Sequence, residues 1–262
     1  DYPSVGATEN IMMAAVAASG VTYIRNAARE PETEDLQAFL NVLGCDVSGA
    51  GTSNIRIAGG GWRARSAVHS IMPDRIVAGT LLCAAAITGG EVRLSNVVPQ
   101  HVGSTLSKLR EGGCAIDCGE GMVRLSAPPR LSEIKLIETL PYPGFPTDMQ
   151  APFFALATVA EGTCVVVENV FENRFKHGPE LMRMGAVYTQ KDRTAVIRGV
   201  ESLTGTQVTA RDLRGGAALT IAGLKARGVT TVYGAELIDR GYEALDAQLR
   251  ALGAHITREE SL

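Results

Sequence analysis

Apolar positions along the chain fall into a pattern that returns four times. In each copy an alanine-rich stretch runs to a glycine and a β-branched stretch follows. A charged loop and a second, amphipathic stretch come next, closed by another glycine. The first glycines are Gly20, Gly90, Gly162 and Gly228, the second Gly44, Gly113, Gly185 and Gly253, so consecutive copies lie 66 to 72 residues apart. A fixed period of this kind marks a repeat architecture. It also changes the weight of single residues: one shared by the copies belongs to the scaffold, and one that breaks the copy is a candidate for function.

The third copy shows the unit best. Pro146-Thr147-Asp148 signals a helix start, and residues 151–160 are apolar nearly all round, which predicts a buried helix ended by Gly162. Residues 164–167 predict a strand buried on both faces, 171–175 a polar loop, and 178–184 a helix, with strands near Val187-Tyr188 and residues 195–197. The other copies predict helices at 12–19 and 38–43, 80–88 and 105–110, and 219–226 and 244–252. Each copy thus reads as helix, strand, helix and strand pair, an α/β unit. The alanines at 14–15, 84–86 and 217–218 let the first helices approach closely, placing helices inside and sheets outside. Residues 59–72 interrupt the repeat as a linker and Pro73-Asp74 restarts it, giving domains 1–72 and 73–262.

Composition narrows the function. A net charge of -3 without long charged blocks gives no support for a nucleic-acid partner. Arginine outnumbers lysine 20 to 5, which suits carboxylate or phosphate ligands but follows equally from a biased genome. Five scattered cysteines fit a reducing cytoplasm better than a disulfide framework. No apolar run predicts a membrane span, and nothing at the start reads as a signal peptide. The opening Asp1-Tyr2-Pro3, without Met, reads as cut rather than begun. The cysteines and histidines form no zinc-ligand spacing, so neither metal nor cofactor is expected, and Gly59-Gly60-Gly61 lacks the Lys-Ser or Lys-Thr of a phosphate loop.

Seven strings then stand out. They are residues 3–10 (PSVGATEN), 26–32 (NAAREPE), 73–76 (PDRI), 143–150 (PGFPTDMQ), 171–175 (FENRF), 212–214 (DLR) and 239–243 (DRGYE). Together they resemble the UDP-N-acetylglucosamine enolpyruvyl (1-carboxyvinyl) transferases, in consistent order from Asp1 to about Arg258. The related 5-enolpyruvylshikimate-3-phosphate synthases share the fold but not these strings. The resemblance implies an inside-out α/β barrel of six such units in two lobes, with the active site in the cleft between lobes. Four units are matched here: the last of one lobe (1–72) and most of the other (73–262). The family's Lys-Asn pair, further arginines and mobile loop with the catalytic Cys have no counterpart. A chain or segment supplying the remaining units is therefore an expected partner, and the chain alone is expected to be inactive.

The family reaction joins the sugar 3-hydroxyl to C2 of phosphoenolpyruvate, protonates C3 and expels phosphate. That chemistry needs a base, an acid and fixed positive charge. The resemblance makes Asp148 the base, whereas pattern alone favours a helix cap, because Asp74 and Asp212 occupy the same place in their copies. By the same resemblance Arg240 contacts phosphoenolpyruvate, and Arg174 and Arg214 line its pocket. A solvated arginine is the plain reading of any one of these, but three within matched strings favour a site. Glu30 and Asp212 are further candidates, for each of which orienting a neighbouring Arg is the simpler reading. Tyr2, Pro3, Ser4, Val5 and Gly6 resemble the segment that holds the nucleotide sugar at a helix N-terminus. Val170 matches a backbone contact to the sugar. Gly112-Gly113-Cys114 looks like the catalytic Cys loop, but repeat register places Cys114 at the second-glycine position, a small buried residue. Two rivals stay open: a non-catalytic binding or regulatory module of the same fold, and a transferase of the same fold with another acceptor.

Overall fold

The computed structural model describes residues 2–60 and 66–259 and divides the chain into two compact units. One is Asp1–Pro73 with Pro141–Gly144; the other is Asp74–Leu140 with Phe145–Leu262.

The first unit holds one copy of the repeat. Helix α1 (Val5–Ala17) begins earlier than its apolar pattern suggests, because Ser4 caps it by accepting from the Ala7 N–H at 3.2 Å. Strand β1 (Gly20–Arg25), helix α2 (Pro31–Val42), β2 (Asp46–Ser48) and β3 (Asn54–Gly59) follow, and the strands form an antiparallel sheet in the order β1-β3-β2. Gly59 pairs with Gly20 in that sheet, so the expected linker begins one residue too early. Gly61 to Arg65 of the linker lie outside the described residues. Its later part is not featureless: His69 Nε2 meets Asp35 Oδ1 at 3.0 Å, and its ring lies against Phe39.

The second unit repeats the plan. It contains α3 (Arg75–Thr88), β4 (Glu91–Ser95), α4 (Gly103–Glu111), β5 (Ala115–Gly119), β6 (Met122–Ser126) and β7 (Leu136–Glu138). Next come α5 (Gln150–Val159), β8 (Thr163–Val167), α6 (Gly178–Arg183), β9 (Val187–Lys191), β10 (Thr194–Arg198) and β11 (Gln207–Thr209). It closes with α7 (Leu213–Lys225), β12 (Thr231–Tyr233), α8 (Ala235–Ile238) and α9 (Leu245–Ala251). The sheet orders β4-β6-β5 and β8-β10-β9 reproduce β1-β3-β2, and β7 adds to β8 in parallel just as β11 pairs with β12. The fourth copy departs from the expected unit. Its expected second helix is present as α9, preceded by the short α8, but no strand pair follows among the described residues.

The three first helices pack on one another, α5 on α7 and both on α3, with strands outside them. All ten residues of α5 are buried, including Phe153 and Phe154, which is what a helix apolar on every face requires. Truncating either aromatic to Ala should cost about 3–5 kcal/mol. Arg130 fixes the far end of α5 by donating to the carbonyls of Val159 (3.1 Å) and Ala160 (3.3 Å), which lack intrahelical partners. Strand β8 corrects one expectation: Cys164 and Val166 are buried, whereas Val165 and Val167 are only half-buried. Helices cover one face of that sheet, so only alternate residues are enclosed.

Seven of the eight repeat glycines have positive φ, between 71° and 98°, a region that costs other residues energy. In the second copy the left-handed residue is Gly89 (φ 71°), one before the expected Gly90. The repeat spacing is therefore a spacing of helix ends.

Candidate functional site

Three aspartates stand at corresponding helix starts in the second unit, and they do different work. Asp74 caps α3, its Oδ1 accepting from the Ile76 and Val77 N–H groups at 2.8 and 2.9 Å. Asp212 caps α7, accepting from the Gly215 N–H at 2.7 Å. Asp148 caps nothing. It sits in a 3-10 turn, Thr147–Met149, ahead of α5, and its carboxylate instead accepts from two arginines.

Arg174 donates from Nη2 to Asp148 Oδ1, and Arg214 from Nη2 to Asp148 Oδ2 at 3.0 Å. Each guanidinium also lies over an aromatic ring: Arg174 is 4.6 Å from the Phe171 centroid and Arg214 is 5.1 Å from that of Tyr242. Tyr242 is buried and its hydroxyl meets Thr80 Oγ1 of α3 at 3.0 Å, so the ring beneath Arg214 is held by a second helix. Burial alone would push the Asp148 carboxyl up, but the charges of Arg214 and Arg174 outweigh it and hold the group below the usual carboxylate range. The result is a carboxylate with a guanidinium at each oxygen, arranged for anion exchange: a phosphate or carboxylate ligand fits the same arginine forks.

Beside this cluster a cavity of about 260 Å³ is lined by Phe171, Glu172, Asn173, Arg174, Lys176, Asp212 and Leu213. Asp212 thus borders the site while its Oδ1 serves the helix, and among the described residues it pairs with no arginine, contrary to one expectation. A larger hollow of about 640 Å³ lies along β9 and β10 and contains none of the expected site residues.

Arg240 follows α8 and is exposed, with no hydrogen bond or ion pair among the described residues. Its neighbour Gly241 abuts the cluster: a Cβ there would lie 2.3 Å from Leu213 Cδ1 and 3.3 Å from Arg214 Nη1, so a side chain would displace the Leu213 tip and crowd the guanidinium. Val170 is half-buried and its N–H donates to Glu168 Oε1 at 2.9 Å, so a backbone contact to a ligand falls to its carbonyl.

The remaining expected residues belong to the first unit. Ser4 is the cap of α1 and Val5 and Gly6 begin the helix, while Pro3 and the half-exposed Tyr2 precede it. A side chain at Gly6 would meet nothing within 4 Å, so this helix start faces open space. Glu30 sits at the start of α2 and its Oε1 accepts from the Tyr142 N–H at 3.4 Å, where pairing with a neighbouring Arg was the simpler expectation. Its electrostatic neighbours are acidic: burial raises the Glu9 carboxyl, and Glu32 and Glu30 raise it further.

Cys114 is buried, and burial pushes its thiol up to about 11, far from the thiolate range of a reactive cysteine. Sequence reasoning missed Lys176, Tyr242 and Glu168. Tyr242 lay inside a matched string, and Glu168 carried a signal of its own, a charged residue directly after the apolar run of β8.

Comparison with known proteins gives a consistent picture. Residues 1–258 match the family described as EPSP synthase (3-phosphoshikimate 1-carboxyvinyltransferase). The chain is 52% identical over 258 residues to UDP-N-acetylglucosamine 1-carboxyvinyltransferase 2 of Caldanaerobacter subterraneus subsp. tengcongensis, covering 98% of this chain and 62% of that protein. It is 51% identical over 261 residues to the UDP-N-acetylglucosamine 1-carboxyvinyltransferase of Myxococcus xanthus, covering 100% and 62%. Among solved structures, the enolpyruvyl transferase NikO from Streptomyces tendae superposes with a TM-score of 0.81 at 26% identity, covering 95% of this chain and 59% of that one. EPSP synthase from Acinetobacter baumannii shares the fold, with a TM-score of 0.71 at 22% identity, covering 99% of this chain and 62% of that one. The chain spans about 62% of the length of the curated relatives it matches. No helix among the described residues is long and apolar enough to cross a membrane.

Proposed function

The chain belongs to the EPSP synthase family, and we propose that it forms the larger part of a transferase. That enzyme moves the enolpyruvyl group of phosphoenolpyruvate to the 3-hydroxyl of UDP-N-acetylglucosamine and releases phosphate, the first committed step of peptidoglycan synthesis. The observation that carries this reading is Asp148: alone among the helix-start aspartates of its unit it leaves its helix uncapped and faces two arginines. The names of relatives at 51–52% identity support the nucleotide sugar as acceptor.

In this mechanism Arg174 and Arg214 bind the anionic groups of phosphoenolpyruvate, with Arg240 as a third cation. Drawing the guanidiniums onto the substrate removes the charges that hold the Asp148 carboxyl down, and its proton affinity rises. Asp148 then takes the sugar hydroxyl proton as the O–C2 bond forms, and C3 gains a proton from an acid. The C2–O bond to phosphate next breaks while a proton leaves C3, so the double bond is restored in the product. In the first unit Ser4, Val5 and Gly6, at the start of α1, hold the nucleotide sugar through backbone N–H groups, with Tyr2, Pro3 and Glu30 beside them; in the second unit Val170 offers its carbonyl. The step also needs an acid for C3. We assign it, with two further repeat units, to a segment or chain matching the rest of the relatives' length, and infer that this chain alone does not turn over.

The test is Asp148→Asn in a polypeptide of the relatives' full length. Loss of general-base catalysis should lower turnover by roughly 100- to 10,000-fold while the affinity for UDP-N-acetylglucosamine changes little. Near-normal turnover would remove Asp148 as the base.

A further inference from the structure

We propose that Glu168 is a positioning residue that sets Asp148 and the arginine loop in register with each other. Its side chain is completely buried, and its two oxygens accept four hydrogen bonds from three separate segments. Oε1 takes the Thr139 hydroxyl at 2.9 Å, just beyond β7, and the N–H groups of Val170 and Phe171 at 2.9 and 3.1 Å. Oε2 takes the Thr147 hydroxyl at 2.9 Å. Thr139 Oγ1 in turn accepts from the Asn169 N–H at 2.8 Å, which closes the loop around the carboxylate.

The partners explain why the group matters. Thr147 immediately precedes Asp148, and Phe171 is the ring on which the Arg174 guanidinium rests. One oxygen of Glu168 therefore holds the Asp148 side of the Asp148–Arg174 pair and the other holds the arginine side. Every donor is neutral, and no cation pairs with the carboxylate among the described residues. A buried carboxylate is costly unless its lone pairs are satisfied, and an apolar side chain of similar size would fill the space without that demand. What an apolar side chain lacks is the ability to fix two loops at hydrogen-bond precision. That precision counts where acid–base groups act, since displacement by about 1 Å costs on the order of 100-fold in rate.

The inference rests on the reading of Asp148 as the base, and the two can fail separately. Glu168→Ala risks misfolding, so the informative variant is Thr147→Val in the full-length polypeptide, which cuts only the Oε2 arm and leaves the loop clamp intact. We expect kcat to fall about 10- to 100-fold with KM for both substrates within about twofold and the melting temperature lowered by only a few degrees, the cost of one unsatisfied carboxylate oxygen, and Thr147→Ser, which keeps the hydroxyl, to recover most of the loss. Unchanged kcat for Thr147→Val, a rise in KM in its place, or a loss of kcat matched by loss of folded protein would each overturn the proposal. Asp148→Asn is run alongside: normal turnover there sinks the base, whereas a dead Asp148→Asn beside a normal Thr147→Val sinks only the role of Glu168.

Discussion

Arg214 donates to Asp148 at 3.0 Å and thereby ties the first turn of α7 to the turn that precedes α5. The residue two positions before it, Asp212, is spent on capping the same helix. Two aspartates at equivalent places in the repeat thus separate into a structural and a chemical role, and their variants should separate too.

Asp212→Ala should lower stability by about 1 kcal/mol, and Asp212→Asn by only a few tenths, because Asn caps about as well as Asp. Asp148→Asn should show a different signature in pH-dependent urea unfolding. The folded-state carboxyl lies below its ordinary value, so its stabilisation is fully present above the unfolded carboxylate pKa of about 4 and is lost as pH falls through the folded value. The stability gap between the native chain and Asp148→Asn should therefore hold from pH 7 to about 4 and close below it. A gap that closes near pH 6 would point to another group.

His177 gives a second window, of the same sign but at higher pH. It is buried, edge-on to Phe154 with centroids 4.8 Å apart, and neither ring nitrogen has a hydrogen-bond partner among the described residues. Burial lowers its pKa from 6.5 to about 4; the Arg174 charge adds to this and Asp212 opposes it. Between those values the unfolded chain binds the extra proton, so stability should decline as pH falls from 6.5 to about 4. The full loss is roughly 3 kcal/mol. His177→Leu should flatten that slope in denaturant unfolding, and an unchanged slope would show that the imidazole does not set it.

Gly241→Ala tests how tightly the arginine is seated. The added methyl would push the Leu213 tip aside and press on Arg214 Nη1, shifting the guanidinium slightly between Asp148 and the Tyr242 ring. We expect about 1–3 kcal/mol of destabilisation, and in the full-length enzyme a higher KM for phosphoenolpyruvate with UDP-N-acetylglucosamine binding preserved. Wild-type KM for both substrates would mean that Arg214 tolerates displacement.

Much of this fold was legible because a repeat states its own rules several times. The glycines gave the helix ends, and the alanine runs gave the helices that pack on one another. Helix starts were harder to read. In α1 the polar Thr8-Glu9-Asn10, and in α7 the pair Gly215-Gly216, hide helical turns that a cap and packing against Ala210 and Ile238 stabilise. The three-residue strands β7 and β11 carry no periodicity, and only pairing reveals them. Pattern alone favoured a cap for Asp148, because the contest between an N–H group and a guanidinium is decided in three dimensions. Glu168 escaped notice for the same reason: its donors lie at Thr139 and Thr147 as well as beside it.

Helix α1 offers the test of the proposed further units. It is nearly as apolar all round as α5, yet only Thr8, Met12, Ala15 and Val16 are buried, and Ala7, Ala14 and Ala17 lie on an exposed face flanked by Ile11 and Met13. In α7 the comparable small residues Gly215, Gly216, Ala217 and Ala218 are buried within the packed helices. If two further repeat units complete the first unit, that alanine face is where their helices lie. Ala14→Glu should then leave the melting temperature of the present chain within about 1 °C, since surface changes are usually worth under 0.5 kcal/mol. In the full-length polypeptide the same change forces an unpaired carboxylate and extra volume into a helix contact, and should cost on the order of 3 kcal/mol or more. Equal, small effects in both would mean that the face stays in solvent, and the proposal of completing helices would fall.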